Sequence, residues 1–422
     1  MGLNDLSYVE MQFVDLRRLR EIDVTVKRFE ESLSEGKVFD GSSVGMAPIQ
    51  ESDLVLKPIP ETFFKLPWNK KVGRVLCDIY KANKEMEEHE MSPRFILKKQ
   101  LQKAKENSFK FFTAVENEFF LLKENNLIDE AGYFYTTPLD KTKEFRNEIF
   151  ETLTKLGIEV EYMHHEVAQA QGEITLKYQE ALKMADTVIT FRYIAQNIAH
   201  TKGLVFTLMP KVKAGINGSG MHIHLSLSDL KGNNVFYSSS DKLKISKTAK
   251  YFIGGVLEHF KALAGIVAPS INSRKRLIPG YEAPINKAWG PKNRSALIRI
   301  PAFFSKKSAR IEFRMPDSTC NPYLAFASLL ACGLEGIEKE IDPGEACFKN
   351  TYEEKDYESI PGKQEEIIAE LKKDKTIRNT LGKAFDAYVK LMEEELKDYK
   401  KENKKWNPFE ITKWEIKKYL EF

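Results

Sequence analysis

The sequence predicts an α+β protein of two domains, a small one over residues 1–90 and a large one over 91–422 built on a curved antiparallel sheet flanked by helices. Three observations carry this. Short β-like runs (YVEMQFVDL, DLVLKPI, GRVLCDIY) alternate over residues 8–80 with one helix-like stretch, VKRFEESLSEG. A polar segment, KANKEMEEHEMSPR at 81–94, then loses the period-two alternation. Beyond it, strand-like runs are interspersed with helical patterns at 142–157, 176–200 and 245–268.

Taken in order, VKRFEESLSEG ends at a glycine suited to a helix C-cap. SPRFILKKQLQKAKEN starts a helix with Ser at the N-cap and Pro in the first turn, which places the domain boundary near residue 90. FKFFTAVENEFFLL, GLVFTLMP, GMHIHLSL, ALIRIP and ARIEFRMP supply strands for the larger sheet. The tail from 363 to 422 reads as charged, solvated helices. No repeat or low-complexity tract is evident.

Composition excludes several classes. The chain is 42% hydrophobic and 30% charged, with 65 basic against 61 acidic residues, so nothing points to nucleic acid. The start lacks a basic stretch followed by an apolar run, and GGVLEHFKALAGIVAP carries charge well short of a membrane span; the expectation is a cytoplasmic protein with no membrane partner. Cys77, Cys320, Cys332 and Cys347 show no C-x-x-C spacing and read as core thiols.

Four constellations could carry chemistry. Glu116 and Glu118 in TAVENEFFLL share a strand face at about 6.5–7 Å, although an isolated E-x-E is most simply a solvent-facing edge. HHEVAQAQGEI offers Glu166 and Glu173, which meet if a turn lies between them, with His164 and His165 just before. NGSGMHIHLSL places His222 and His224 on one face after a turn whose N–H groups can approach a ligand, or else these are satisfied polar side chains. RIEFR aligns Arg310, Glu312 and Arg314, equally an ordinary ion-pair ladder. Together these acids and imidazole suit Mg²⁺ or Mn²⁺ rather than structural zinc. With Arg276, Arg294, Arg299 and Lys307 nearby in sequence motifs, the set suits phosphoryl transfer, without a P-loop or kinase-type glycine loop.

FDGSSVG, ENEFF, HHEVAQAQGEI, NGSGMHIHLS, KRLIPGYEAPIN, NRSALIRIP, RIEFRMPD and NPYLAFA, in this order over nearly the whole chain, resemble glutamine synthetase of the prokaryotic type I class. The resemblance implies a β-grasp-like first domain, a catalytic second domain and a dodecamer of two hexameric rings. It implies one metal on Glu118, Glu166 and Glu173 and a second on Glu116, His222 and Glu312. Glutamate would be held by Arg276, Glu282, Arg294 and Arg314 beside Asn217 and Gly218. ATP would contact Glu161, His224, Ser226, Arg299, Lys307 and Arg310, with Arg294 offsetting charge on the transferred phosphate. Asp40 of FDGSS would complete a neighbouring subunit's site as the base acting on ammonium, and Glu282 would keep water from the acyl phosphate.

Two positions depart from subgroups of that family. Ile49 stands nine residues after Asp40, where a feedback-inhibited subgroup has Arg, which argues against glutamine feedback there. Tyr352 falls near a tyrosine that some members adenylylate, but the residues after it differ, so adenylylation is not expected. Lys287 and AFFSKKS are also idiosyncratic. The rival readings are a γ-glutamyl-amine ligase using a polyamine or ethanolamine, against which Asp40 and Glu282 are retained, and an inactive structural or regulatory member, against which all six ligand positions are filled.

Overall fold

The computed structural model describes residues 2–354 and 356–421. Contacts divide the chain into two compact units, Met1–Lys99 with Leu381–Tyr388, and Gln100–Thr380 with Val389–Phe422.

In the first unit, β1 (Tyr8–Val14), β2 (Leu19–Thr25), α1 (Val26–Glu35), β3 (Lys37–Asp40), β4 (Asp53–Pro58), β5 (Phe64–Leu66) and β6 (Asn69–Lys81) precede α2 (Pro93–Glu106), which runs on past the unit's limit. The sheet order is β2-β1-β6-β4-β3, with β5 on β6. β1 and β6 pair in parallel, and the other pairs are antiparallel. The helix lies where the sequence places it. Thr25 accepts from the Arg28 N–H at 3.3 Å, and Gly36, at φ +75°, donates to the Ser32 carbonyl at 3.0 Å. Phe29 of α1 packs with Met11, Phe13, Leu54 and Val75 to make this unit's core. β2, β3 and β5 were not expected from the sequence.

The second unit runs through β7 (Phe109–Lys123), β8 (Asn126–Leu127), α3 (Lys143–Lys155), β9 (Val160–His165), β10 (Gln171–Glu180), α4 (Ala181–Thr201), β11 (Val205–Thr207) and β12 (Met221–Asp229). Then follow α5 (Lys247–Glu258), α6 (Phe260–Val267), α7 (Ser273–Arg276), β13 (Asn286–Pro291), β14 (Ala296–Ile300), β15 (Ile311–Phe313) and α8 (Pro322–Glu338). The chain closes with α9 (Gln364–Lys373), α10 (Lys375–Leu381), α11 (Ala384–Glu402) and α12 (Lys413–Tyr419), α11 beginning in the first unit.

Its sheet has nine strands in the order β13-β14-β15-β12-β7-β10-β9, with β8 and β11 on β7. All pairs are antiparallel except β13 with β14, which is parallel. Two helical expectations shift. Residues 176–180 belong to β10, so α4 starts at Ala181, and 245–268 divides into α5 and α6 at His259. Along β7 alternate side chains take opposite faces: Phe119 meets Phe145 and Phe206 on one, while Glu116 and Glu118 occupy the other.

All four cysteines are free and buried. Lys287 is accounted for by its ammonium between Glu258 and Glu358, at 3.9 and 3.8 Å. Among the described residues no helix is long and apolar enough to cross a membrane.

Candidate active site

Strand register assembles the site. Glu118 of β7 lies opposite Glu173 of β10, which lies opposite His164 of β9. One step along, Tyr162, Thr175, Glu116 and His222 form a second row across β9, β10, β7 and β12. A third row carries Ala114, His224, Glu312 and Arg299 across β7, β12, β15 and β14. Because opposed residues in antiparallel pairs hold their Cβ atoms about 4.5–5.5 Å apart, rows on one face bring their carboxylates and imidazoles together.

These rows open into a cavity of about 480 Å³. All six expected metal ligands line it: Glu116, Glu118, Glu166, Glu173, His222 and Glu312. Glu166 follows β9 directly, and its N–H donates to the Gln171 carbonyl at 2.8 Å, closing the turn that brings Glu166 to Glu173. His222 Nδ1 lies 2.9 Å from Glu116 and 3.8 Å from Glu312, while its Nε2 lies 3.7 Å from Glu118. Asn217, Gly218, Arg276, Glu282, Arg294 and Arg314, expected at glutamate, line the same cavity.

The electrostatics fall into two halves. Glu166 is pushed up to about 9 by burial, then by Glu118 and Glu173. Burial also drives Glu173 well up, with Glu116 and Glu118 adding repulsion. For Glu116 burial acts upward too, but His224 and His222 outweigh it and hold the carboxyl well below its usual range. Glu312 likewise resists burial, held to about 2 chiefly by Arg314, whose Nη1 donates at 2.6 Å; Arg299 makes its second ion pair. Glu118, Glu166 and Glu173, closely set acids that repel one another, fit a hard divalent ion, whose charge would offset that repulsion. Divalent-metal binding is characteristic of the family resemblance, and this donor set agrees with it.

A second cavity of about 240 Å³ is lined by Glu161, His224, Ser226, Lys307 and Arg310, five of the residues expected at ATP. The sixth, Arg299, lines the first cavity instead, drawn there by Glu312. Arg310 Nε donates to His224 Nδ1 at 3.3 Å, and His224 Nε2 lies 2.7 Å from Glu116, so a polar chain links the cavities. The Arg310–Glu312–Arg314 ladder is therefore divided, with Arg299 as the second guanidinium on Glu312. The glycine turn also differs from expectation. The Gly220 N–H is committed to Glu118 at 2.8 Å, and a Cβ there would fall 2.5 Å from an Arg276 nitrogen.

Both cavities are lined wholly by the second unit, whereas Asp40 belongs to the first. There it ends β3, and its carboxylate accepts from Ser42 N and Oγ, at 2.8 and 2.6 Å, and from Ser43 Oγ. The Ser42 and Ser43 hydroxyls hold it to about 2.

Several lining residues had no sequence role. Tyr133 and Phe134 stack at 3.9 Å, and both meet the His164 ring edge-on. His164 lies 3.5 and 3.6 Å from Glu166 and Glu173. Gln171 donates to Glu118, Ser219 and the Gly218 carbonyl at 3.1–3.3 Å. Tyr281 and Tyr162 complete the wall. The aromatic run GYFY, set among polar residues, was the one available signal for Tyr133 and Phe134.

A family model described as glutamine synthetase, catalytic domain, matches residues 90–412, and one described as glutamine synthetase, beta-Grasp domain, matches residues 5–82. A glutamine synthetase of Pyrococcus woesei is 41% identical over 98% of this chain and 97% of its own. That of Thermotoga maritima is 40% identical, covering 99% and 97%. That of Halobacterium salinarum is 38% identical, covering 99% and 94%. A solved structure titled "GmaS/ADP complex-Conformation 1" superposes with a TM-score of 0.88 at 30% identity, over 98% of this chain and 96% of that one.

Proposed function

Since this chain belongs to the glutamine synthetase family, we propose that the two linked cavities carry out that family's ligation through the residues placed above. The protein is an ATP-dependent ligase that joins ammonia to the side-chain carboxylate of glutamate. The observation that carries the assignment of chemistry to the first cavity is the convergence there of five carboxylates and His222 beside Arg276, Arg294 and Arg314.

A carboxylate is a poor electrophile, so its oxygen first attacks the γ-phosphorus of ATP, breaking the bond to the β-phosphate oxygen and giving γ-glutamyl phosphate and ADP. Ammonia then attacks the acyl carbon, and phosphate leaves. Arg294 and Arg314 would hold glutamate and offset the negative charge of the first transfer. Arg276 would shape the amino-acid end rather than pair with it, because its guanidinium donates to the Met315 and Arg314 carbonyls at 2.7 and 3.2 Å. Two or more Mg²⁺ or Mn²⁺ ions held by Glu118, Glu166 and Glu173 and by Glu116, His222 and Glu312 would neutralise the phosphates. Glu161, His224, Ser226, Lys307 and Arg310 would seat the nucleotide in the second cavity, a reading supported by the titled ADP complex of the structural relative.

Glu282 sits at φ +56°, a conformation that non-glycine residues hold only under local constraint, and would close the cavity against water. Asp40, ionised throughout neutral pH, would attract ammonium at a neighbouring subunit's site. Its low affinity for protons means that its two serine hydroxyls must let go before it can act as the base. We therefore include a homo-oligomer, a dodecamer of two rings, together with domains at 1–90 and 91–422 and a cytoplasmic location, which the four free thiols support.

A phosphate-release assay with ATP and glutamate, run across amines beside native mass measurement, tests the proposal. Turnover with ammonium is expected; turnover with putrescine or ethanolamine but not ammonium would overturn it.

A further inference from the structure

We propose that Tyr162 is a positioning residue that fixes the carboxylate of Glu116 and couples the nucleotide cavity to the metal ligands, an inference resting on the reading of the two cavities given above. Tyr162 lies on β9 opposite Thr175, which lies opposite Glu116 on β7, so its side chain reaches across the small threonine. Its hydroxyl donates to Glu116 Oε1 at 3.0 Å. The same oxygen lies 2.7 Å from His224 Nε2, and the other carboxylate oxygen lies 2.9 Å from His222.

The ring of Tyr162 does a second thing. It stacks on His164 at 5.9 Å and an interplanar angle of 8°, and His164 faces Glu166 and Glu173. One side chain thus bears on both ligand groups, on the second directly through its hydroxyl and on the first through His164, on which its ring stacks. Among the described residues it is also the only one lining both cavities. A phosphate chain reaching from the second cavity to the first must run past this ring.

Two effects follow. A hydrogen bond onto a ligating carboxylate sets its orientation, and loss of such outer partners typically costs about 10–100-fold in metal affinity. Without the phenol, Glu116 Oε1 keeps His224, which Arg310 of the nucleotide cavity holds by its other nitrogen. The carboxylate would then follow the nucleotide side instead of the metal side. Removing the whole ring would also take away the wall shared by the cavities.

Mn²⁺ binding by the full chain, followed by the paramagnetic signal of the free ion, tests this in Tyr162→Phe and Tyr162→Ala, together with the KM for ATP and for glutamate. Tyr162→Phe is expected to bind one class of Mn²⁺ about tenfold more weakly, with an unchanged melting midpoint in chelator. Tyr162→Ala is expected to add a rise in the ATP KM while the glutamate KM stays put. Wild-type affinity in Tyr162→Phe would overturn the role of Tyr162 and leave the cation site standing. A wild-type protein that takes up no Mn²⁺ would overturn both.

Discussion

The hydroxyl of Tyr352 donates to the main-chain carbonyl of Ala283 at 2.8 Å, tethering the residue next to Glu282. The tether is one of several, since the segment after Tyr352 runs beside the chain leaving the loop: Ile360 N donates to Ile285 O at 2.8 Å, and Lys287 N to Glu358 O at 2.7 Å. A tyrosine so engaged lies against the segment that carries Glu282.

Tyr352→Phe removes that one bond, worth about 1 kcal/mol, so open loop conformations should become about fivefold more populated. Phosphate release from ATP and glutamate in the absence of ammonium is expected to rise by about that factor, with the ATP KM unchanged. Uncoupled release equal to the wild type would show that the tether does not govern closure.

Stability should depend on pH through Glu166. Its folded value, about 9, stands above the ordinary 4.5, so between the two the folded chain binds more protons than the unfolded one. Stability of the metal-free protein therefore falls as pH rises across that window. A divalent cation substitutes for the protons, so added Mg²⁺ should raise the melting midpoint more at about pH 8.5 than at about pH 5.5. Thermal scans at both pH values check the sign, and the reverse order would contradict it.

Arg310→Ala should raise the KM for ATP roughly tenfold and move the glutamate KM less than about twofold, because Arg310 lines only the second cavity. Steady-state kinetics with each substrate varied separately decide the matter; equal changes would mean that the cavities are not divided by substrate.

Asp40→Ala should reduce ammonium-dependent turnover by at least about a hundredfold. Mn²⁺ uptake should remain as in the wild type, since the six proposed ligands lie in the other unit. Calorimetric titration beside the activity assay separates the two, and parallel loss of both would contradict the assigned role.

The six proposed ligand positions could be singled out because each lies on a strand or at its end, where period two decides facing, as for Glu116 with Glu118 on β7 and His222 with His224 on β12, while their division between two metals came only with the family resemblance. His164, Tyr162 and Gln171 acquire their roles only through cross-strand register, which no local pattern encodes. The helix expected from 176 lost its first residues to the sheet, because β10 pairs with β7 as far as Glu180 through a bulge between Leu176 and Gln179. The continuous pattern at 245–268 hid a break at His259, whose ring lies 2.6 Å from Asp374, a partner 115 residues away in sequence.

The three rows of opposed side chains draw on strands that span Phe109–Lys123 at one extreme and Ile311–Phe313 at the other. A ribosome releasing this polypeptide must therefore deliver Glu312, nearly three quarters of the way through synthesis, before the row that began at Ala114 has its last acid. A chain stopped short of Glu312 lacks both the last carboxylate of that row and the Arg314 guanidinium that pairs with it.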